Sequence, residues 1–580
     1  MYLASLKVKD FRRLQVGDVT FQPGLNVIVG ENNSGKTAIV DALLTALGHR
    51  QFVRDDLYTD GKNEAPGSSI EVIFDSLDPD DEAAFIQGLI PGSAAGKYRA
   101  RLAVNASLRN DELDRTVEVG FGSRGGAYYD VLKRHRLDYL PALRDPNGPI
   151  GLRAGRQSRL AELLRRTVEE AERDSLCEIA EKANEDMTGQ PPVVRAKGIV
   201  KRNLDRLSGL AYAIEPDLSF VEPDFNRLAS QLEGYADGLS VGLMGLGSGN
   251  LVYIAAVLGD MEEGKDTDKR YRALIIEEPE AHLHPQRQIL LLRFLERQAI
   301  NSKRAIQIFV TTHSPILASQ AAVSNLLPLF DKIEQKETLV TKTTIAKVVA
   351  TDSKTANATR IKQYLDATRS ELFFAKRLIL VEGDAERMLL PELATLWRNE
   401  DLESRGVTIV SAAGLNFGIF LPFIGSEVLN VPVAIVTDAD PPTRSESAES
   451  TYLAKLRKTV EDKADASIDV FAGDKTFEYD LALPEKNRDL ILDAIQTVHP
   501  IKGKAFRESV GEKHGKDFAE DFYRLFFKEG ATSKPEFAME LALLLKSGRT
   551  DFEVPDYIVR AFEHALRSPD MEVAKPAEDV

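Results

Sequence analysis

The sequence predicts an α/β fold in two successive units, and three observations carry that expectation. The apolar run Leu25 to Val29 feeds a glycine-containing loop, and Thr37 to Leu47 leaves it with helical character. Two more apolar runs, Leu274 to Ile276 and Ile308 to Val310, end in polar residues as buried strands of a parallel sheet do. A fresh apolar run, Arg377 to Val381, then follows a Lys/Thr/Ala-rich stretch over 350–370 that lacks core-like strands. The division is 1–155 and 211–370 for the first unit, 156–210 for a helical insertion within it, and 371–580 for the second unit.

At 580 residues the chain is too long for one core. Hydrophobic residues at 43% support ordinary globular packing. No apolar run reaches the roughly 18–20 residues of a membrane span, so no membrane partner is expected. The segment from Met1 to Val16 alternates apolar residues with Lys and Arg and has no signal-peptide core. A single cysteine, Cys177, excludes an internal disulfide and a Cys-rich zinc module, and a cytoplasmic setting follows. The net charge of −16 argues against a general DNA-coating surface but leaves room for a local groove. Lys133 to Arg166 carries nine basic residues against three acids, with a second cluster at Arg195, Lys197, Lys201, Arg202 and Arg206. Both are candidate nucleic-acid contacts.

In chain order, Leu3–Val8 and Val16–Phe21 read as strands. Residues 30–37 spell Gly-Glu-Asn-Asn-Ser-Gly-Lys-Thr, a complete phosphate loop. Its backbone amides and the following helix N-terminus suit the phosphates of ATP. Asn32, Asn33, Ser34 and Gly35 form the cradle, Lys36 reaches the outer phosphates, and the Thr37 hydroxyl completes Mg²⁺ coordination. Residues 48–68 read as loop and Ser69–Leu77 as a strand. From 156 to 206 the pattern is helical, with Leu160, Leu163, Leu164 and Val168 at 3–4 residue spacing and a break at Gly189-Gln190-Pro191-Pro192. A strand–turn pattern returns over 211–221.

Leu274-Ile275-Ile276-Glu277-Glu278-Pro279-Glu280 is a strand ending in paired carboxylates. Glu277 suits the Mg²⁺, and Glu278 suits orienting or deprotonating the attacking water. Motor ATPases of this kind carry Asp in the first position, so the longer Glu277 is a departure. His313 ends the run Ile308-Phe309-Val310-Thr311-Thr312, a switch position for a γ-phosphate. Gly245-Leu246-Gly247-Ser248-Gly249-Asn250 precedes a helix over Leu251–Leu258 and resembles a degenerate ABC signature. Through Ser248 and Gly249 it offers amides to ATP held by a second subunit, which makes the unit at least a dimer. With its entry Lys7-Val8-Lys9-Asp10-Phe11-Arg12-Arg13, this set resembles the ABC ATPase group of SMC proteins and RecF, and the resemblance places Arg12 or Arg13 near the nucleotide. No Q-loop glutamine stands out; Gln51 and Asp55-Asp56 occupy that region.

In the second unit, Leu378-Ile379-Leu380-Val381-Glu382-Gly383-Asp384-Ala385-Glu386 is a strand, a turn and a helix start. Glu382 and Glu386 then face one spot at the sheet edge. Val433-Ala434-Ile435-Val436-Thr437-Asp438-Ala439-Asp440 is a second strand ending in an Asp-x-Asp pair, with both carboxylates on one side. Four converging carboxylates call for a cation, and hard oxygen donors select Mg²⁺ or Mn²⁺. This pattern resembles the Toprim domain of topoisomerases, primases and certain nucleases, with Ser411-Ala412-Ala413-Gly414 as its turn after the strand Val407–Val410. Lys475-Thr476-Phe477-Glu478-Tyr479-Asp480-Leu481 reads as a further strand or turn with two acids. An amphipathic helix starts at Lys534-Pro535-Glu536-Phe537-Ala538.

An ABC ATPase followed by a Toprim domain is similar to the OLD (overcoming lysogenization defect) family over nearly the whole chain. The resemblance implies a two-metal DNA endonuclease. Glu382, Asp438 and Asp440 would bind one metal, with Glu386 and Glu478 assisting or holding the second. Lys534, or else Lys546, would stabilise the phosphate. It also implies that 156–210 dimerises the ATPase as a homodimer or higher homo-oligomer, that DNA is the substrate, and that a helicase sometimes acts beside it in phage defence or DNA repair. Two other readings are a topoisomerase- or primase-like activity on the same acids, and an SMC/RecF-like repair ATPase whose Toprim domain is non-catalytic.

Overall fold

The computed structural model describes residues 1–59, 64–92, 96–123, 125–142, 152, 154–155, 158–208, 214–220, 224–236, 238–263, 269–301, 305–332, 337–340, 361–425, 429–439, 451–527 and 533–567. The first unit packs two sheets. One is antiparallel and includes Tyr2–Phe11, Leu14–Thr20, Gly67–Asp75, Tyr98–Arg109 and Glu112–Val119. Gly67–Asp75 alternates buried with half-buried residues, as a sheet with one covered face requires. The second sheet runs, from one edge, Glu337–Val340, Leu326–Lys332, Leu25–Val29, Gln307–Thr312, Tyr271–Glu277 and His135–Leu140. Its three central strands are buried at every residue, which is why they read as unbroken apolar runs.

Parallel register aligns the ends of those strands. Glu277 pairs with Thr311, and Thr312 with Val29, so the phosphate loop, the paired carboxylates and His313 emerge at one edge. The second unit has a four-stranded parallel sheet ordered Val407–Ser411, Arg377–Val381, Val433–Thr437, Ile468–Ala472. Val381 pairs with Val436, which sets Glu382 beside Thr437 and Asp438 at its carboxyl end. One apolar core runs from Val27, Leu274 and Val310 through Leu372 and Phe373 into Leu378 and Ile435. The two units thus share buried surface at their junction, where each fully buried Leu or Phe contributes about 1.5–3 kcal/mol.

Several expectations change. The helical insertion is three helices, Arg159–Thr167, Glu170–Thr188 and Pro191–Ser208, with the break at Gly189–Gln190 where the prolines placed it. Residues 214–220 carry no strand, and the rest of 211–221 lies outside the described residues. The glycine-rich turn is itself helical, since the helix runs Leu246–Glu263. Phe477–Ala482 is a short helix rather than a strand, because the Thr476 side chain caps it by accepting from the Tyr479 amide. The basic stretch contains the strand His135–Leu140, and among its described residues three arginines are consumed internally. Arg136 pairs with Asp138 (3.0 Å) and with Asp260. Arg159 pairs with Asp138 (3.0 Å), and Arg166 with Asp260 (3.3 Å) and Glu162. In the second cluster, Lys197 and Lys201 pair with Asp217 and Glu215.

Candidate active sites

At the first site the loop lies between the strand Leu25–Val29 and the helix Lys36–Ala46. Gly30 is obligatory: a Cβ there would meet Ser34 Oγ at 2.5 Å and the Leu329 carbonyl oxygen at 2.7 Å. Asn32, Asn33 and Thr37 are exposed, while Ser34, Gly35 and Lys36 are buried. The Lys36 ammonium donates to the Gly30 and Glu31 carbonyl oxygens at 2.7 and 2.6 Å. Burial pulls its pKa down, against the upward pull of Glu278, Glu280 and Glu277.

Glu277 is buried and accepts from the Tyr139 hydroxyl at 2.9 Å through Oε2, while Oε1 has no hydrogen-bond partner among the described residues. Burial raises its pKa and Asp41 adds to the rise, while the Tyr139 hydroxyl, the Ala142 backbone and the Thr37 hydroxyl pull it down. Glu278 has a positive φ of 44°, a strained conformation for a non-glycine residue, pinned by its amide donating to the Thr311 carbonyl at 2.9 Å. His313 Nδ1 lies 3.5 Å from Glu278 and 3.7 Å from Glu280. Glu280 accepts from the Thr312 hydroxyl at 2.6 Å and the His313 amide at 3.1 Å, leaving Oε2 buried and unmatched among the described residues. Orphaned buried carboxylate oxygens beside an exposed Thr37 fit a cation bound with ATP phosphates.

Arg12 turns away from the loop. It pairs with Asp56 (2.9 Å) and Asp41, where Arg50 joins them, and its neighbour Arg13 is the residue that bonds the loop, at the Asn33 carbonyl. Ser248 accepts from Arg287 at 3.0 Å, and the Gly249 amide is used by the Gly245 carbonyl, so the first-turn amides are those of Leu246, Gly247 and Ser248. Gly247 abuts the loop after Glu280, where a Cβ would meet the His282 carbonyl oxygen at 2.3 Å.

At the second site Glu382 Oε2 accepts from the Thr437 hydroxyl (3.4 Å) and the Asp438 amide (3.5 Å), so the two strand ends face each other. Asp438 is buried and accepts from the Phe477 amide at 2.8 Å. Glu478, 2% exposed, lies 2.9 Å from the Lys534 ammonium, which is 3.8 Å from Asp438. Glu386 caps its own helix by accepting from the Gly383 amide at 3.0 Å. Burial, with Glu478 and Glu382 adding to it, pushes Glu386 up to about 7. Burial likewise pushes Asp438 well up, with Lys534 opposing and Glu382 and Glu478 reinforcing. For Lys534 burial acts downward, yet Glu478 and Asp438 carry its pKa up. Lys546 is remote from this group, paired with Glu392 at 2.9 Å.

The oxygen donors suit a hard divalent cation. Among the described residues, though, no three acidic, histidine or cysteine side chains are gathered closely enough to hold a metal ion. Lys534 stands among the acids as their counter-charge. Asp440 lies outside the described residues. Sequence reasoning missed Tyr139 and Asp41, while of the two arginines it named, Arg13 is the one that bonds the phosphate loop. The signal for Tyr139 was the apolar alternation of His135–Leu140 before Pro141, masked by its arginines.

No helix among the described residues is long and apolar enough to cross a membrane. Residues 25–319 match the family described as "AAA domain, putative AbiEii toxin, Type IV TA system", and residues 373–440 match the Toprim domain of overcoming lysogenization defect-like proteins. An OLD nuclease of Thermus scotoductus is 27% identical over 476 residues, covering 76% of this chain and 82% of the relative. Endonuclease GajA of Bacillus cereus is 26% identical over 533 residues, covering 76% of this chain and 77% of the relative. Among solved structures, the C-terminal region of the Burkholderia pseudomallei OLD protein is 24% identical, covers 33% of this chain and 97% of that one, and has a TM-score of 0.25.

Proposed function

The chain belongs to the AAA ATPase family that matches half of it, joined to an OLD-like Toprim domain in the manner of the OLD nucleases, and from that premise we propose a metal-dependent DNA endonuclease governed by its ATPase. The observation that carries this reading is the meeting of Glu382, Asp438, Glu478 and Lys534 at one edge of the second sheet. Mg²⁺ or Mn²⁺, when bound, supplies Lewis-acid charge and a nucleophilic water for phosphodiester hydrolysis. Glu382 and Asp438 would hold it, and Asp440, Glu386 and Glu478 would complete a two-metal donor set. The Lys534 ammonium neutralises charge gathering on the scissile phosphate.

At the ATPase end, Lys36 swings from two neutral carbonyls to the outer phosphates, Glu277 and Thr37 serve Mg²⁺, and Glu278 and His313 address the attacking water and the γ-phosphate. Exposed Leu176, Ile179 and Met187 on one helix of the insertion, and Val194 and Ile199 on the next, support pairing of two copies through 156–210. Such a dimer would bring the helix end at Gly247–Ser248 to a partner's ATP. Phage defence or DNA repair, with a helicase alongside, is the setting that suits this enzyme.

The test is cleavage of supercoiled and linear DNA across divalent metals, with and without ATP. Glu382→Ala and Asp438→Ala are expected to stop cutting while ATP binding persists. Cutting that survives both substitutions refutes the site, and a parent that fails to cut with any metal tried leaves a DNA-bound ATPase with a structural Toprim domain.

A further inference from the structure

Glu277 stands where related ATPases carry the shorter aspartate. The added methylene brings one more torsion, so a glutamate must be held if one of its oxygens is to stay at a fixed point. The neighbouring strand supplies the hold. His135–Leu140 runs parallel to Tyr271–Glu277, and Tyr139 pairs with Ile275. Ile275 and Glu277 lie two residues apart on a strand and share a face, so the phenol of Tyr139 and the carboxylate of Glu277 lie on one side of the sheet. The hydroxyl closes the gap with a 2.9 Å hydrogen bond to Oε2. Oε1 is then the oxygen left buried with no hydrogen-bond partner among the described residues. The two oxygens are no longer equivalent: one is anchored in the protein and the other kept for a ligand. Asp41, whose charge bears on both groups, is neutralised by Arg12 and Arg50.

We propose that Tyr139 is a positioning residue of the ATPase site, fixing Glu277 so that Oε1 meets the Mg²⁺ of bound ATP. The inference rests on the reading of Glu277 as the Mg²⁺ carboxylate. A residue that orients a metal ligand from behind typically changes metal affinity or activity by about 10–100-fold when its hydrogen bond is removed.

The test is binding of a fluorescent ATP analogue to the full chain in EDTA and in Mg²⁺. Tyr139→Phe removes only the hydroxyl. Its affinity in EDTA should match the parent, while the gain on adding Mg²⁺ should fall by about tenfold. Glu277→Gln, measured alongside, should lose that gain. If Glu277→Gln loses it and Tyr139→Phe keeps it in full, the proposal is overturned and the role of Glu277 stands. If Glu277→Gln keeps the gain, the role of Glu277 falls and takes the proposal with it. A Tyr139→Phe protein that binds more weakly in EDTA as well marks the tyrosine as a packing residue, which also overturns the proposal.

Discussion

Each site holds one strategic lysine, and the two are tethered in opposite ways. Lys36 rests on the carbonyls of Gly30 and Glu31, neutral acceptors, and its charge is offset only through space by Glu278, Glu280 and Glu277. Lys534 rests on the carboxylates of Glu478 and Asp438. Burial therefore wins at Lys36 and lowers its pKa, while the acids win at Lys534 and raise it. Glu277, Glu280 and Glu478 each keep a buried oxygen with no hydrogen-bond partner among the described residues, but only that of Glu478 has an ammonium, Lys534, at 2.9 Å. A phosphate site built on neutral acceptors gives its lysine up readily, and an acidic site with a built-in ammonium stays folded before any metal arrives.

The largest effect that bears on this contrast is at Lys534. Lys534→Ala should lower DNA cleavage by about 10²–10³-fold, the usual cost of removing one charge stabiliser, with ATP affinity unchanged. Equal cleavage by parent and variant would break the comparison. Next is Lys36→Ala, expected to weaken ATP binding by about 10–100-fold, as the loss of a charged hydrogen bond of about 1.5–3 kcal/mol implies. Its DNA cleavage without nucleotide should match the parent if the sites are separately built.

A pH series sharpens the contrast. His135, stacked on Phe74 in the first unit, is buried and pushed down to about 3, chiefly by burial and further by His49 and Lys269. The unfolded chain takes up that proton below about 6.5, so stability of the first unit is lost as pH falls below that value. Glu386 and Asp480 are pushed by burial to about 7 from 4.5 and 3.8. There the fold holds protons the unfolded chain has released, so metal-free stability of the second unit declines as pH rises toward 7, by at most about 3 kcal/mol for Glu386 and about 4 kcal/mol for Asp480. Hydrogen exchange followed from pH 5 to 8 should show the two units weakening in opposite directions, and Glu386→Gln should flatten the second trend. The smallest effect is at Lys546. Lys546→Ala breaks an exposed pair with Glu392 and should change cleavage less than about twofold.

Contiguous motifs were the legible part. The phosphate loop, Glu277–Glu278, His313 and Asp438 each lie at the end of an all-buried strand whose end sequence can be read directly, and Glu382 follows one buried from Leu378 to Val381. Pairings across long separations were not legible. Arg136 and Asp260 are 124 residues apart, so a stretch that reads as a basic surface proves to be an internal ion network. Lys534 and Lys546 end the same helix, and only tertiary packing assigns one to the acids and the other to Glu392. Glu478 reads as strand or turn because Thr476-Phe477-Glu478-Tyr479 is short and mixed. The Thr476 cap was the available clue.

The ion network at the base of the helical insertion has a consequence for ionic strength. Arg136, Asp138 and Asp260 are each under 10% exposed, so counter-ions reach them poorly, while Lys197–Asp217 and Lys201–Glu215 stand in open solvent. Added electrolyte dissolves the outer pairs first. The base stays fastened to the helix Leu246–Glu263 through Asp260, because its buried pairs are screened far less than the outer ones.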